Sequence, residues 1–188
     1  MKLAPSVFPG LLVRVSQWVW SAGKSIAWGA CALLFFACGV IERERNRIPS
    51  ERVWAKVKVE AGKHGLDAGF VYAICHAESS LDANAETSVA RGMMQLTKGA
   101  WTDVTDKSYR LAFDWETNVE TGVLYLARLK KMLGKAGVFS YPRLAASYRY
   151  GFGALKKQEF LVSKMKPPVN RIYRKLFAGE MRPVDLPE

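Results

Sequence analysis

The sequence predicts a mostly α-helical fold, a single compact domain of about 130 to 140 residues behind a hydrophobic N-terminal segment. Three observations predict it. Apolar residues after Pro49 recur at three- and four-residue spacing, as on one face of a 3.6-residue helix. No stretch sustains the alternation of a half-buried strand, and no long repeat or low-complexity tract interrupts the chain. The 188 residues, 49% of them apolar, suit one packed domain plus an appendage and exclude a disordered tail.

The first 41 residues carry Lys2, Arg14 and Lys24 but no acid, and end in a charge-free run of seventeen residues, Ser25 to Ile41. That length lies between the about 7 to 15 residues of a signal-peptide core and the roughly 20 that span a bilayer. Residues 1–41 are therefore expected to be a signal peptide or a membrane anchor. Small residues at Ala37-Cys38-Gly39 offer a cleavage point. Arg43, Arg45 and Arg47 follow the run as closely as Lys24 precedes it, so charge does not orient it. Residues 42–48 read as a charged connector, and 49–188 as the folded domain.

Within that domain Ser50 is expected to cap a first amphipathic helix to His64, with Val53, Trp54, Val57 and Ala61 on its apolar stripe. Asp67 caps a second helix that frays at Ser79-Ser80. Leu81 to Arg91 lacks a stripe and should be an irregular loop or a pair of short strands. Thr97 caps a helix running through Trp101 to Thr105. Asp114 caps the longest helix, whose stripe of Val119, Val123, Leu126, Leu129, Met132 and Leu133 is expected to end at Gly134. Ser140 and Pro142 open a helix ending at Gly151, and after Pro167-Pro168 a basic amphipathic helix covers Val169 to Phe177.

Net charge is +11, with a pI near 9.7. The excess suits an anionic partner: nucleic acid, an acidic membrane surface or an anionic polymer. Without residues 1–41, 25 basic face 17 acidic residues, a surface whose attraction fades with salt. The basic residues are spread over several helices without a recognition-helix pattern, so a nucleic-acid partner is not expected. Cys31, Cys38 and Cys75 form no paired framework, and His64 and His76 are not ligand-spaced, so no metal or other cofactor is expected.

One acid stands out. Counting back seven, four and three residues from Glu78 gives Val71, Ile74 and Cys75, so Glu78 shares the apolar face of its helix. A carboxyl flanked by apolar side chains holds its proton to higher pH, which makes a proton donor. The same spacing also allows a helix-end Glu that turns out to solvent.

Glu78-Ser79-Ser80, then Arg91-Gly92-Met93-Met94-Gln95-Leu96, then Asp114 through Asn118, Gly122, Tyr125 and Leu126, then Ser147-Tyr148-Arg149-Tyr150-Gly151, resemble in order the four motifs of the lytic transglycosylase domain with a goose-type lysozyme fold. The family patterns are E-S-x, G-L-M-Q, N-x-x-x-G-x-x-Y-L and A-Y-N-x-G, and the resemblance spans roughly Pro49 to Phe177. It implies a lysozyme-like α domain that cleaves the β-1,4 bond between N-acetylmuramic acid and N-acetylglucosamine in peptidoglycan glycan strands. Four departures stand out: Arg149 where Asn is usual, Tyr150 where a small residue is frequent, Leu81 where an aromatic is common, and Lys98 where a Pro often follows.

The resemblance also implies roles. Glu78 is the catalytic acid and then the base, yielding a 1,6-anhydro product in which the muramic acid 6-hydroxyl replaces water. Gln95 and Met94 belong to the segment that holds the sugar amide, and Tyr148 lines the cleft. Thr87 or Ser88 supplies a loop hydroxyl to the substrate. Arg149, as a departure from the pattern, leaves three readings open: contact with a peptide-stem carboxylate, a charge that lowers the Glu78 pKa, or a turn out to solvent. A glycosidase of the two-carboxylate type needs a partner acid about 5 to 9.5 Å away, and Asp82 and Glu86 are the nearest in sequence. A plain hydrolase or a non-catalytic wall-binding module on the same fold are the rival functions. The expected location is the periplasm or cell envelope, attached to the inner membrane through residues 1–41 if these are retained. Local wall opening for a trans-envelope assembly is the biological setting such short enzymes suit.

Overall fold

The computed structural model describes residues 43–188, which form one compact unit from Arg43 to Glu188. The signal or anchor expected over residues 1–41 lies outside the described residues. Among the described residues no helix is long and apolar enough to cross a membrane.

Seven α-helices, two 3-10 turns and a two-residue hairpin make up the domain. In chain order the helices are α1 (Ser50–Lys63), α2 (Ala68–Ser79), α3 (Lys98–Thr102), α4 (Trp115–Lys135), α5 (Tyr141–Tyr150), α6 (Phe152–Lys157) and α7 (Arg171–Phe177). Strands β1 (Ala90–Arg91) and β2 (Leu96–Thr97) pair antiparallel between α2 and α3, with Ala90 opposite Thr97.

The centre of the unit is α2. Every residue from Gly69 to Cys75 is buried, which is the pattern of a helix enclosed on all sides rather than one lying on a surface. It packs against α1 and α7, while α5 packs against α4, α6 and α7. The fully buried run stops at Cys75, and the final turn, His76 to Ser79, is partly buried at the end of the helix.

Local signals account for most boundaries. Asp67 accepts from the Phe70 N–H, Thr97 from Ala100, Asp114 from Thr117 and Ser140 from Arg143, so four helix starts are capped by their own side chains. Ser50 differs from expectation. It is the first helical residue, its hydroxyl donates to Glu51, and Pro49 takes the cap position without a side-chain bond. Proline there has already lost its N–H and holds the φ an entering chain needs. The third helix stops at Thr102, short of Thr105. The fourth runs through Gly134 to Lys135, and the left-handed turn falls at Gly137, φ 69°. The last begins at Arg171, capped by Asn170, rather than at Val169.

The connector is not a free tether over its described part. Asn46 N–H donates to the Asp82 carboxylate (2.9 Å), Ile48 N–H to the Leu81 carbonyl (3.1 Å), and Ala83 N–H to the Asn46 carbonyl (2.9 Å). Residues 46–48 are thus laced onto the loop that follows α2.

Candidate active site

Glu78 occupies the last turn of α2, and its side chain is 8% exposed. The Tyr173 hydroxyl on α7 donates to its Oε1 in a short hydrogen bond. Arg149 on α5 places Nη1 3.5 Å from Oε2, with its guanidinium carbon 5.5 Å from the centre of the Tyr173 ring. Three helices therefore meet at one carboxyl group.

Burial pushes the Glu78 pKa up, while the Tyr173 hydrogen bond and the Arg149 charge pull it back; burial wins, and the group sits above the ordinary Glu value. No carboxylate acts on it among the described residues. Of the two acids near it in sequence, Asp82 accepts the N–H groups of Asn46 and Asn84, and Glu86 pairs with Arg91 at 3.0 Å. Both are committed to holding the loop.

Tyr173 was not legible as a site residue. Its place in the sequence is an apolar stripe with Leu176 and Phe177, and it is fully buried, as that stripe predicts. Its hydroxyl reaches Glu78 only because α7 docks on the end of α2. Asn170 fixes that docking: its Oδ1 accepts the Ile172 and Tyr173 N–H groups, and its Nδ2 donates to the Ala77 carbonyl at 3.0 Å. One side chain caps α7 and ties it to the turn that bears the acid. Tyr173→Phe would remove the donor that favours the carboxylate, so the Glu78 pKa should rise further. The alkaline limb of any activity that needs protonated Glu78 should then move to higher pH, read from a rate profile.

The Gly92–Gln95 turn is built from the inside. Gly92 has φ 77°, a conformation open to glycine, and an added Cβ would strike the Ala112 carbonyl oxygen and the Asn118 amide. Asn118 is wholly buried. Its Oδ1 accepts the Met94 N–H at 2.7 Å, and its Nδ2 donates to the carbonyls of Ala112 (2.8 Å) and Arg91 (3.1 Å). One turn on, Gly122 leaves room for the Met94 thioether, which would otherwise collide with a Cβ. The N-x-x-x-G spacing on α4 thus serves the turn: the amide reads its backbone and the glycine admits its side chain.

This geometry changes the expectation for several residues. Met94 was expected to bind substrate, but its side chain is fully enclosed and its N–H and C=O are taken by Asn118 and Tyr148. It acts as packing. Tyr148 donates to the Met94 carbonyl at 2.8 Å rather than to Glu78, and its ring meets that of Tyr125 edge-on. It links α5 to the turn. Gln95 sits at φ 47° with its amide nitrogen donating to the carbonyls of Ala85 and Gly92, both at 2.9 Å. Only its carbonyl oxygen remains for an outside donor. Thr87 Oγ1 accepts the Ala90 N–H at 3.1 Å, closing the turn before β1, and Ser88 beside it is exposed. Arg149 does not point away into solvent: it leans on the acid and on Tyr173 while remaining 45% exposed.

Cys75, one turn before Glu78, is enclosed, and burial pushes its thiol up to about 12, so it is a small apolar filler rather than a nucleophile. Among the described residues no group of His, Cys, Asp and Glu side chains is arranged to hold a metal.

A family model described as the transglycosylase SLT domain matches residues 56–167. A membrane-bound lytic murein transglycosylase F from Desulfosudis oleivorans is 30% identical over 138 residues, which is 69% of this chain and 28% of that protein. The chain therefore spans under a third of this relative's length. Among solved structures, an inactive glutamate-to-glutamine mutant of the lytic transglycosylase Slt from Pseudomonas aeruginosa superposes with a TM-score of 0.51 at 19% identity. That match covers 65% of this chain and 20% of the other, and it speaks for the fold alone. The family model covers more than half of the sequence and contains Glu78, the Gly92–Gln95 turn, the Asn118–Gly122 pair and Arg149. By that match the chain belongs to the SLT transglycosylase domain family.

Proposed function

We propose that the protein is a peptidoglycan lytic transglycosylase that cuts the β-1,4 bond between N-acetylmuramic acid and N-acetylglucosamine with a single carboxyl group. The observation that carries this reading is the state of Glu78: sheltered, raised in pKa, hydrogen-bonded by Tyr173 and without a companion carboxylate among the described residues. A sheltered acid holds its proton to higher pH than an exposed one and can deliver it to the glycosidic oxygen as the bond to C1 breaks. The cationic centre left behind is stabilised by the sugar's own acetamido carbonyl. Glu78, now a carboxylate, takes the proton of the muramic acid 6-hydroxyl, whose oxygen closes onto C1. The proton count balances, no water is consumed, and the 1,6-anhydro ring forms because its nucleophile is already tethered to the reacting sugar.

A hydrolase of the two-carboxylate kind requires a second acid to activate water or form a glycosyl ester. Asp82 and Glu86 are spent on loop contacts, which favours the intramolecular route. A wall-facing site fits the surplus of positive charge, and the same reading puts the enzyme in the cell envelope, where it would open strands locally, for example around a trans-envelope assembly.

The test is product mass. The full chain incubated with intact sacculi should release anhydro-ended fragments, each lighter by one water than the corresponding lysozyme product. Reducing-end products would replace the transglycosylase with a hydrolase. No products at all, from a protein that still pellets with sacculi, would leave only a wall-binding module.

A further inference from the structure

Among the described residues Arg149 is the one cation at the acid, and its position is odd for a residue whose only task is structural. Its guanidinium touches the Glu78 carboxylate through a single long contact at 3.5 Å, is 45% exposed, and lies against the Tyr173 ring. Arginine carries five donors in a planar fork suited to a carboxylate. Here one donor is loosely used, and the guanidinium makes no other hydrogen bond among the described residues. A proton donor also gains nothing from a permanent cation beside it, since that cation favours the deprotonated form. Both observations are resolved if Arg149 has a second carboxylate to go to.

We infer that Arg149 is a specificity-determining residue that leaves Glu78 for a carboxylate carried on the lactyl arm of the muramoyl residue being cut. The inference rests on the transglycosylase reading. The arm branches from the same sugar ring whose C1 accepts attack, so its acid lies within reach of a guanidinium already in contact with the proton donor. In a strand without stem peptides that acid is the free lactyl carboxylate; in a substituted strand it is amidated, and the nearest anion is the first free carboxylate of the stem. Either anion offers the fork two acceptors where Glu78 offers one loose contact. The exchange frees Glu78 from its cation when the substrate arrives, leaving Tyr173, Tyr148 and Cys75 as the titratable groups facing it, all pushed up by burial.

The experiment compares the full chain with R149N and R149K on three substrates: stem-free strands, stem-bearing strands, and stem-free strands whose carboxylates have been converted to methylamides. Wild type should process charged stem-free strands at least tenfold better in kcat/KM than amidated ones. R149N should bring that ratio close to one, and R149K should keep part of it. If the free lactyl acid is the partner, stem-bearing strands should follow the amidated ones. If the partner is a stem carboxylate, stem-bearing strands should exceed both stem-free forms, again only with Arg149 present. A pH readout separates this role from mere packing. In wild type the alkaline limb of kcat, which reports the bound complex, should lie above that of kcat/KM; in R149N the two should coincide. Equal charged-to-amidated ratios in wild type and R149N, with coincident limbs in wild type, would overturn the inference. Loss of turnover on every substrate by wild type would instead overturn the transglycosylase reading.

Discussion

Glu78→Gln is expected to abolish turnover while leaving a folded and, at high pH, more stable protein. Glutamine keeps an acceptor for the Tyr173 hydroxyl but cannot donate and recover a proton. Positioned proton transfer contributes about 10²- to 10⁴-fold per step, and the same group serves two steps, so release of soluble fragments should fall below detection. The stability effect follows from the raised pKa. A carboxyl whose folded pKa exceeds its unfolded value contributes fully below the unfolded pKa, and that contribution is lost as pH rises through the folded one. Above its raised folded pKa wild type carries a sheltered charge that the Gln variant lacks, whereas below the ordinary Glu value both side chains are mostly neutral. Melting curves in the two ranges should show the variant above wild type in the alkaline one and the gap closing in the acid one. A variant that melts below wild type in the alkaline range would mean that Glu78 is structurally supportive, against the sign of its shift.

Gly92→Ala is expected to be the most damaging small substitution in the domain. Its left-handed backbone would cost a side chain about 1 to 3 kcal/mol, and the new methyl group would press on the Ala112 carbonyl and the Asn118 amide, neither of which has space to yield. Overpacking adds about 1 to 3 kcal/mol, so a loss of about 2 to 6 kcal/mol should appear as a lower denaturant midpoint. Gly134→Ala is the matching control. That glycine lies inside α4, and a Cβ there meets nothing within 4 Å, so the change should stabilise by about 0.5 to 1 kcal/mol. If both variants unfold at the same denaturant concentration, the turn is more pliable than its hydrogen bonds indicate.

What the sequence disclosed, and what it withheld, divides along contact distance. Asp67, Thr97, Asp114 and Ser140 each act within three residues of themselves, and their capping roles can be read directly. The dry face of Glu78 follows from four residues of one helix. By contrast, Tyr173 lies 95 positions from the acid it serves, and on its own helix it reads only as part of an apolar stripe. Motif residues were legible as a group but not in their division of labour. Asn118, Gly122, Gln95 and Tyr148 are polar or small at fixed spacing, which suggests a sugar site, whereas their atoms are largely turned onto the backbone around Met94. Spacing reveals that residues act together. It does not reveal whether they act on a ligand or on one another.

Asn170 has a bearing on when the surroundings of Glu78 are complete. The acid is synthesised early, but its shelter and its phenol partner are delivered by a segment whose anchoring amide is placed 93 residues after Ala77. A nascent or truncated chain lacking that segment would leave Glu78 without the Tyr173 hydroxyl and without the cover that α7 gives α2. Completion of the acid's surroundings therefore waits on the C-terminal part of the chain, a dependence set by chain order.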